Sequence, residues 1–163
     1  MRDVHAVMST SKVPYTAVGY HTVTPYLTVD AGVRAIEFYT KAFGATEIFR
    51  MPAPGGKIGH AEIQIGSSRI MLSDEYPEMQ ALSPKTIGGT AVGLMIYVPD
   101  CDAVFNRAIA EGATSQSPVK DQFYGDRSGT LIDPFGHKWT IATHTEDVSP
   151  DEMERRMAAM QKQ

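Results

Sequence analysis

Two side chains carry the most chemistry: His60 and Glu62, two residues apart in the alternating run Lys57–Ile65. Strand alternation puts both on one face. An imidazole beside a carboxylate suits general acid–base work near neutral pH. The same pair could supply two ligands to a divalent ion, one fewer than a catalytic zinc takes from its protein, with His144 as candidate third. The plainer alternative is a hydrogen-bonded pocket histidine, with Glu62 as its charge partner or that of Arg127. Arg127 follows Tyr124-Gly-Asp126. Facing a cavity, its guanidinium would form a fork for a carboxylate or phosphate; otherwise it forms a salt bridge to a nearby acid. Cys101 stands at a helix start, where the dipole favours the thiolate, but no base accompanies it, so a structural role is expected. His5 and His137 are expected in solvent.

The elements that must position these groups follow from periodicity. Residues 1–20 have no clean period and read as an arm. Thr22–Val29 alternates as a strand. Asp30 is placed to cap a helix carrying Val33, Ile36, Tyr39 and Phe43, ended by Gly44. Strands are expected over Glu47–Met51, Lys57–Ile65 and Arg69–Ser73, then a loop over 74–89. The order repeats: strand Ala91–Val98, helix Asp102–Glu111, and strands Thr114–Val119, Arg127–Ile132 and His137–Thr143. Asp133-Pro-Phe-Gly136 forms the turn before the last of these. Gly44-Ala-Thr46 and Gly112-Ala-Thr114 close the two helices alike, which points to a duplication. The expected layout is an arm (1–20), one domain (21–146) and a C-terminal helix (147–163). Within the domain, modules span about 21–74 and 91–146, with linker 75–90. Ser149-Pro-Asp-Glu152 is a capping box. Met153, Met157 and Met160 then form a stripe expected to pack on the protein's own body or on a partner subunit.

Composition excludes several classes. The chain has 163 residues, enough for one domain with a real core. With 15 basic and 19 acidic residues its formal charge is -4, which argues against general nucleic-acid binding. No apolar run approaches the roughly 20 residues of a spanning helix, and no signal-peptide core precedes Ser11. One cysteine excludes an intrachain disulfide framework. A soluble, cytoplasmic protein is expected.

Seven stretches carry a resemblance: Thr24-Pro-Tyr-Leu27, Ala35-Ile-Glu-Phe-Tyr39, Ala42-Phe-Gly-Ala45, Gly56-Lys-Ile-Gly-His-Ala-Glu62, Met71-Leu-Ser-Asp-Glu75, Tyr124-Gly-Asp-Arg127 and Asp133-Pro-Phe-Gly-His-Lys-Trp139. With the two β-α-β-β-β modules, they resemble the vicinal oxygen chelate superfamily (glyoxalase, bleomycin resistance, dioxygenase), and within it the PhnB-like branch. The resemblance implies an α+β fold of two tandem βαβββ modules forming a cupped mixed sheet. Helices cover the convex face, a ligand pocket lies in the concave face, and homodimers are common.

Metal enzymes of this superfamily draw ligands from the first and last strand of each module, here aligned with Thr24, Met71, Gly93 and Thr140. A thioether, two hydroxyls and a glycine are poor ligands for divalent first-row ions, so neither metal nor cofactor is expected. Strand parity turns Thr24, Tyr26, Thr28, His60, Glu62, Gln64, Arg69, Met71 and Ser73 inward from the first module. From the second it turns in Gly93, Met95, Tyr97, Arg127, Gly129, Leu131, Lys138, Thr140, Ala142 and His144. The expected ligand-binding set is His60, Glu62, Tyr124, Arg127, Thr24, Tyr26, Met71 and Tyr97.

The leading functional expectation is a metal-free small-molecule-binding protein. The alternative is a lyase, isomerase or dioxygenase with a nonstandard metal on His60, Glu62 and His144. A third, an assembly domain with an incidental pocket, is opposed by the polar inward face of Lys57–Ile65.

Overall fold

The computed structural model describes residues 13–161. The first module runs β1 (Tyr26–Val29), α1 (Gly32–Phe43), β2 (Thr46–Ala53), β3 (Lys57–Ile65) and β4 (Ser68–Asp74). A connection containing one helical turn, α2 (Pro84–Ile87), leads to the second. That module runs β5 (Gly93–Tyr97), α3 (Cys101–Ala110), β6 (Thr114–Asp121), β7 (Asp126–Ile132) and β8 (Lys138–His144). The chain closes on α4 (Pro150–Met160). No helix among the described residues is long and apolar enough to cross a membrane.

The two sheets have the same topology. Their orders are β1-β4-β3-β2 and β5-β8-β7-β6, with the first strand of each module parallel to its last and the other pairings antiparallel. The expected duplication is therefore present strand for strand. It forms two four-stranded mixed sheets rather than one continuous ladder.

Each helix covers one face of its sheet. On α1 the residues Ala35, Ile36, Phe38, Tyr39, Ala42 and Phe43 are buried with Leu27, Ile63 and Leu72 in one core. The same core takes Val104, Phe105 and Ala108 of α3 with Leu131, Trp139 and Ile141. The modules meet through helices and aromatics. Phe43 and Tyr39 of α1 reach Trp139 of β8, with ring centroids 4.9 and 5.5 Å apart. Arg107 of α3 donates to the Ala42 carbonyl at 3.0 Å.

Asp133 sits in this junction, 4% exposed. It accepts from the Tyr39 hydroxyl at 2.7 Å and Trp139 Nε1 at 2.9 Å. The amides of Phe135 and His137 complete the set, each at 2.9 Å. The turn expected at 133–136 is present, and its first residue also locks the two modules together. His137 is not free in solvent as expected: it is half-buried, with Nε2 2.9 Å from the Thr28 carbonyl.

The cap of α1 differs from the expectation. Asp30 makes no capping bond; it pairs with Lys85 at 3.0 Å. The Gly32 amide is bound by Asp74 Oδ1 at 2.8 Å, while Oδ2 accepts from the Ile58 amide at 2.6 Å. A Cβ on Gly32 would stand 2.7 Å from Asp74 Oδ2, so glycine is needed for this close approach. The capping box on α4 is as expected, with Ser149 Oγ accepting from the Glu152 amide. Its methionine stripe is divided: Met153 is half-buried, while Met157 and Met160 are 45% and 60% exposed. Arg156 ties the helix to Glu146 and to the Phe123 carbonyl.

Candidate functional site

Register decides which side chains leave the core. In the first module Tyr26 pairs with Met71 and Met71 with Glu62, while Thr28 pairs with Ser73. On the outer side of β3, Phe49 pairs with Glu62 and Met51 with His60. Directly paired residues share a face, so Tyr26, Thr28, Phe49, Met51, His60, Glu62, Met71 and Ser73 share the face away from α1. The inward parity expected for β1, β3 and β4 holds.

These residues form a hydrogen-bonded chain. The Tyr26 hydroxyl is 3.0 Å from His60 Nδ1. His60 Nε2 is 3.5 Å from Glu62 Oε1, a charge contact more than a tight bond. Arg69 Nη1 lies 3.6 Å from the other Glu62 oxygen, and its guanidinium carbon lies 5.2 Å from the centre of the Tyr20 ring. The Tyr20 hydroxyl beside Glu62 is the first of several influences that hold the Glu62 carboxyl below its usual range; His60 and Arg69 add to it, against burial. Glu62 is therefore an anion at neutral pH.

A groove of about 850 Å³ opens beside this chain. Tyr26, Thr28, Lys57, Gly59 and Ser73 line it from the strands, with Tyr76, Glu78 and Met79 among the residues from the loop after β4. The volume is that of a typical small-molecule site. Of the chain Tyr26–His60–Glu62, only Tyr26 lines the groove. Tyr76 and Met79 lie in a stretch read as loop, which carried no signal for a site, and Lys57 opens the expected strand Lys57–Ile65, whose candidate residues began at His60. Phe49 and Met51 were missed because β2 had no face assigned to it.

On the second module the expectation for β7 is corrected. Leu131 pairs with Trp139, and Gly129 with Ile141. A Cβ on Gly129 would meet Phe105 of α3 at 2.9 Å. Arg127, Gly129 and Leu131 therefore face the helix, and Asp126, Ser128 and Thr130 take the concave side. A one-residue shift in strand parity moves every side chain to the other face. Arg127 makes a bidentate pair with Asp102 on α3, at 2.7 and 2.8 Å, and reaches Asp121 at 3.1 Å. It therefore leaves the concave side, where the expected ligand-binding set had placed it.

The concave side of the second module carries its own network. Asp126, 5% exposed, accepts from the Tyr97 hydroxyl at 2.9 Å and lies 2.7 Å from His144 Nδ1. His144 Nε2 is 2.8 Å from Asp147 Oδ1. The bond to Asp126, then burial and the charge of Asp126, raise the Tyr97 pKa. Tyr124 packs edge-on against Phe123, ring centroids 5.3 Å apart, and is 36% exposed. Thr24 precedes β1 and bonds only weakly, to the His21 carbonyl at 3.4 Å.

His144 gives a pH prediction. The bond to Asp126, then that to Asp147, raises its pKa above the ordinary 6.5. The folded chain thus holds this proton more tightly than the unfolded one. The resulting stabilisation is complete below the unfolded value and is lost as pH rises through the folded one. His144→Gln should flatten that limb, measured as urea midpoints from about pH 5.5 to about pH 8.5. An unchanged slope would show the pairing to be without weight.

The metal reading is tested by the donor set. The observed register places Tyr26 beside Met71 and Met95 beside Thr140, two residues on from the aligned Thr24 and Gly93. A phenol, two thioethers and a hydroxyl do not fit a divalent first-row ion. Nor are His60, Glu62 and His144 brought together: His144 is engaged by Asp126 and Asp147, and no cluster of three His, Cys, Asp or Glu suited to an ion occurs among the described residues.

Comparison with known proteins agrees with the topology. A family model described as "Glyoxalase/Bleomycin resistance protein/Dioxygenase superfamily" matches residues 19–141. An uncharacterized protein of Mycobacterium bovis is 41% identical over 140 residues, covering 84% of this chain and 92% of that protein. The crystal structure of TioX from Micromonospora sp. ML1 is similar at 25% identity and TM-score 0.60, over 79% of this chain and all of that one (100%). Protein PA1353 of Pseudomonas aeruginosa is similar at 25% identity and TM-score 0.63, over 76% and 98%.

Proposed function

The chain belongs to the glyoxalase/bleomycin resistance protein/dioxygenase superfamily, and from that premise we propose that it is a cytoplasmic small-molecule-binding protein of the PhnB-like branch that works without the superfamily's metal. The observation that carries this reading is the groove of about 850 Å³ lined by Tyr26, whose partner across the first and last strands of the module is Met71, a pair that is a poor ligand set for a divalent ion. Its surfaces combine aromatic and thioether groups (Tyr26, Tyr76, Met79) with polar and charged ones: Thr28, Ser73, Lys57 and the carboxylates of Asp74, Glu75 and Glu78. Such a lining favours a flat, partly apolar metabolite. The seven stretches quoted above support the branch.

The reading includes a homodimer. The edge strand β2 exposes apolar side chains on both faces: Ile48 is 42% exposed, Phe49 48% and Met51 50%. An apolar sheet edge of this kind is ordinarily covered, and a second copy would also shelter Met157 and Met160.

The test is native mass spectrometry and ligand uptake on protein prepared without added metal, before and after dialysis against a chelator. Uptake of an organic molecule is expected to survive chelation, and addition of zinc or nickel should give no turnover of the methylglyoxal–glutathione hemithioacetal. Arg127→Ala should leave uptake unchanged, because Arg127 is spent on Asp102. Stoichiometric zinc with metal-dependent turnover would overturn the proposal in favour of a metal-dependent lyase, isomerase or dioxygenase. Light scattering that gives a monomer at micromolar concentration would remove the dimer.

A further inference from the structure

The chain Tyr26–His60–Glu62 has a direction. A phenol hydroxyl that donates to His60 Nδ1, 3.0 Å away, requires the imidazole to carry its own proton on Nε2. That proton then points at Glu62 Oε1, 3.5 Å away. The opposite tautomer would set a bare ring nitrogen against a carboxylate. An anionic Glu62 therefore selects the tautomer that leaves Nδ1 as acceptor. Side-chain exposure of His60 and Glu62 is 20% and 21%, whereas Tyr26 is 51% exposed. The chain thus has one open end, at the Tyr26 oxygen, and one anionic end.

The groups facing His60 are Tyr26 from β1, Glu62 on its own strand, and Phe49 and Met51 from β2, which bring no charge. Met71 and Ser73 of β4 share this face and are uncharged, and Arg69 and Tyr20 lie by Glu62. At the open end the groove offers Tyr76 and Met79 as aromatic and thioether surface, Lys57 as a cation, and the carboxylates of Asp74, Glu75 and Glu78, of which Asp74 is held by the Gly32 and Ile58 amides and Glu75 by the Ser83 amide.

We propose that Tyr26, His60 and Glu62 form a proton relay that ionises an acidic hydroxyl carried on a flat aromatic or enolic ligand in the groove. The ligand hydroxyl gives its proton to the Tyr26 oxygen as the Tyr26 proton passes to His60 Nδ1. The products are a ligand oxyanion hydrogen-bonded by neutral Tyr26, and an imidazolium whose Nε2–H faces the Glu62 carboxylate. No redox partner is needed and charge balances: one anion and one cation form from two neutral groups. The inference rests on the pocket reading above and adds the class of ligand and the state in which it is held.

The probe is 4-nitrophenol, whose phenolate absorbs where the phenol does not. Binding is measured by equilibrium dialysis, and ionisation by the spectrum of the bound fraction. One pH unit below the probe's own pKa, free probe is about one-tenth ionised, so bound probe should show roughly tenfold more phenolate absorbance per molecule. Nitrogen-15 shifts of His60 should show the Nε2–H tautomer in the free protein and imidazolium in the complex. His60→Gln keeps a hydrogen-bonding side chain but cannot accept the proton. It should take up the probe more weakly and hold it as the neutral phenol. Tyr26→Phe should abolish ionisation as well.

Probe bound to the wild type as neutral phenol would overturn the relay while leaving the pocket standing. Equal ionisation in His60→Gln would overturn it too, assigning the effect to Lys57. No uptake in dialysis would refute the ligand class and count against the pocket itself.

Discussion

Asp133→Ala is expected to lower unfolding stability by about 3–5 kcal/mol, the largest effect of any single polar substitution in this chain. The carboxylate accepts from Tyr39, Trp139 and two backbone amides while 4% exposed. Deleting it leaves a phenol and an indole N–H without acceptors in a core where water does not replace them. Each orphaned donor costs about 1–3 kcal/mol. Tyr39→Phe removes one donor and leaves the acceptor with three, so it should cost only about 1–1.5 kcal/mol. Tyr39 comes from α1 and Trp139 from β8, so the loss should fall on the joint between modules. Urea unfolding with a double-mutant cycle over Asp133 and Tyr39 reads the coupling. A loss under about 1 kcal/mol for Asp133→Ala would mean that the junction is held by aromatic packing alone.

The contrast between β3 and β7 shows what the sequence could convey. Along Lys57–Ile65 the residues Ala61, Ile63 and Ile65 alternate with His60, Glu62 and Gln64, so the face of His60 was legible before any coordinates, and the strand has the expected bounds. In Asp126–Ile132 the middle residues are Arg, Ser, Gly and Thr, and the only large apolar side chains, Leu131 and Ile132, are adjacent. Nothing in that pattern fixes parity, and the outcome depends on Phe105 of α3 needing the space over Gly129. Hence Arg127 read as a pocket residue and proved a helix-face residue. The rest of the site was hidden for a related reason. Tyr76 and Met79 join the groove because a loop closes on itself, with the Tyr76 amide donating to the Ala81 carbonyl at 2.8 Å and the Ala81 amide returning at 3.1 Å. Asp126 stood in the sequence only as the residue before Arg127, because its partners, Tyr97 and His144, arrive from other strands.

The same limit produces a second large expected effect, at the start of α1. Local sequence offers Asp30 as the cap, but the working cap is Asp74, from the end of β4. One oxygen of Asp74 holds the Gly32 amide at 2.8 Å and the other holds the Ile58 amide at 2.6 Å, with the residue 8% exposed. Its negative charge also lies at the positive end of the helix dipole. Asp74→Ala should therefore strand two amides and cost about 2–4 kcal/mol. Asp74→Asn can serve only one amide with its carbonyl oxygen and should recover about half of that loss. Asp30→Ala removes an exposed pair with Lys85 and should cost less than about 0.5 kcal/mol. Ile58, Gly59 and Asp74 all line the groove, so Asp74→Ala should also loosen the wall opposite Tyr26 and weaken ligand uptake at temperatures where the fold is intact. Urea midpoints for the three variants, with uptake measured well below each unfolding transition, read both links. If Asp30→Ala proved the more damaging change, the local cap would be the real one and the tie between the helix start and the groove wall would be lost.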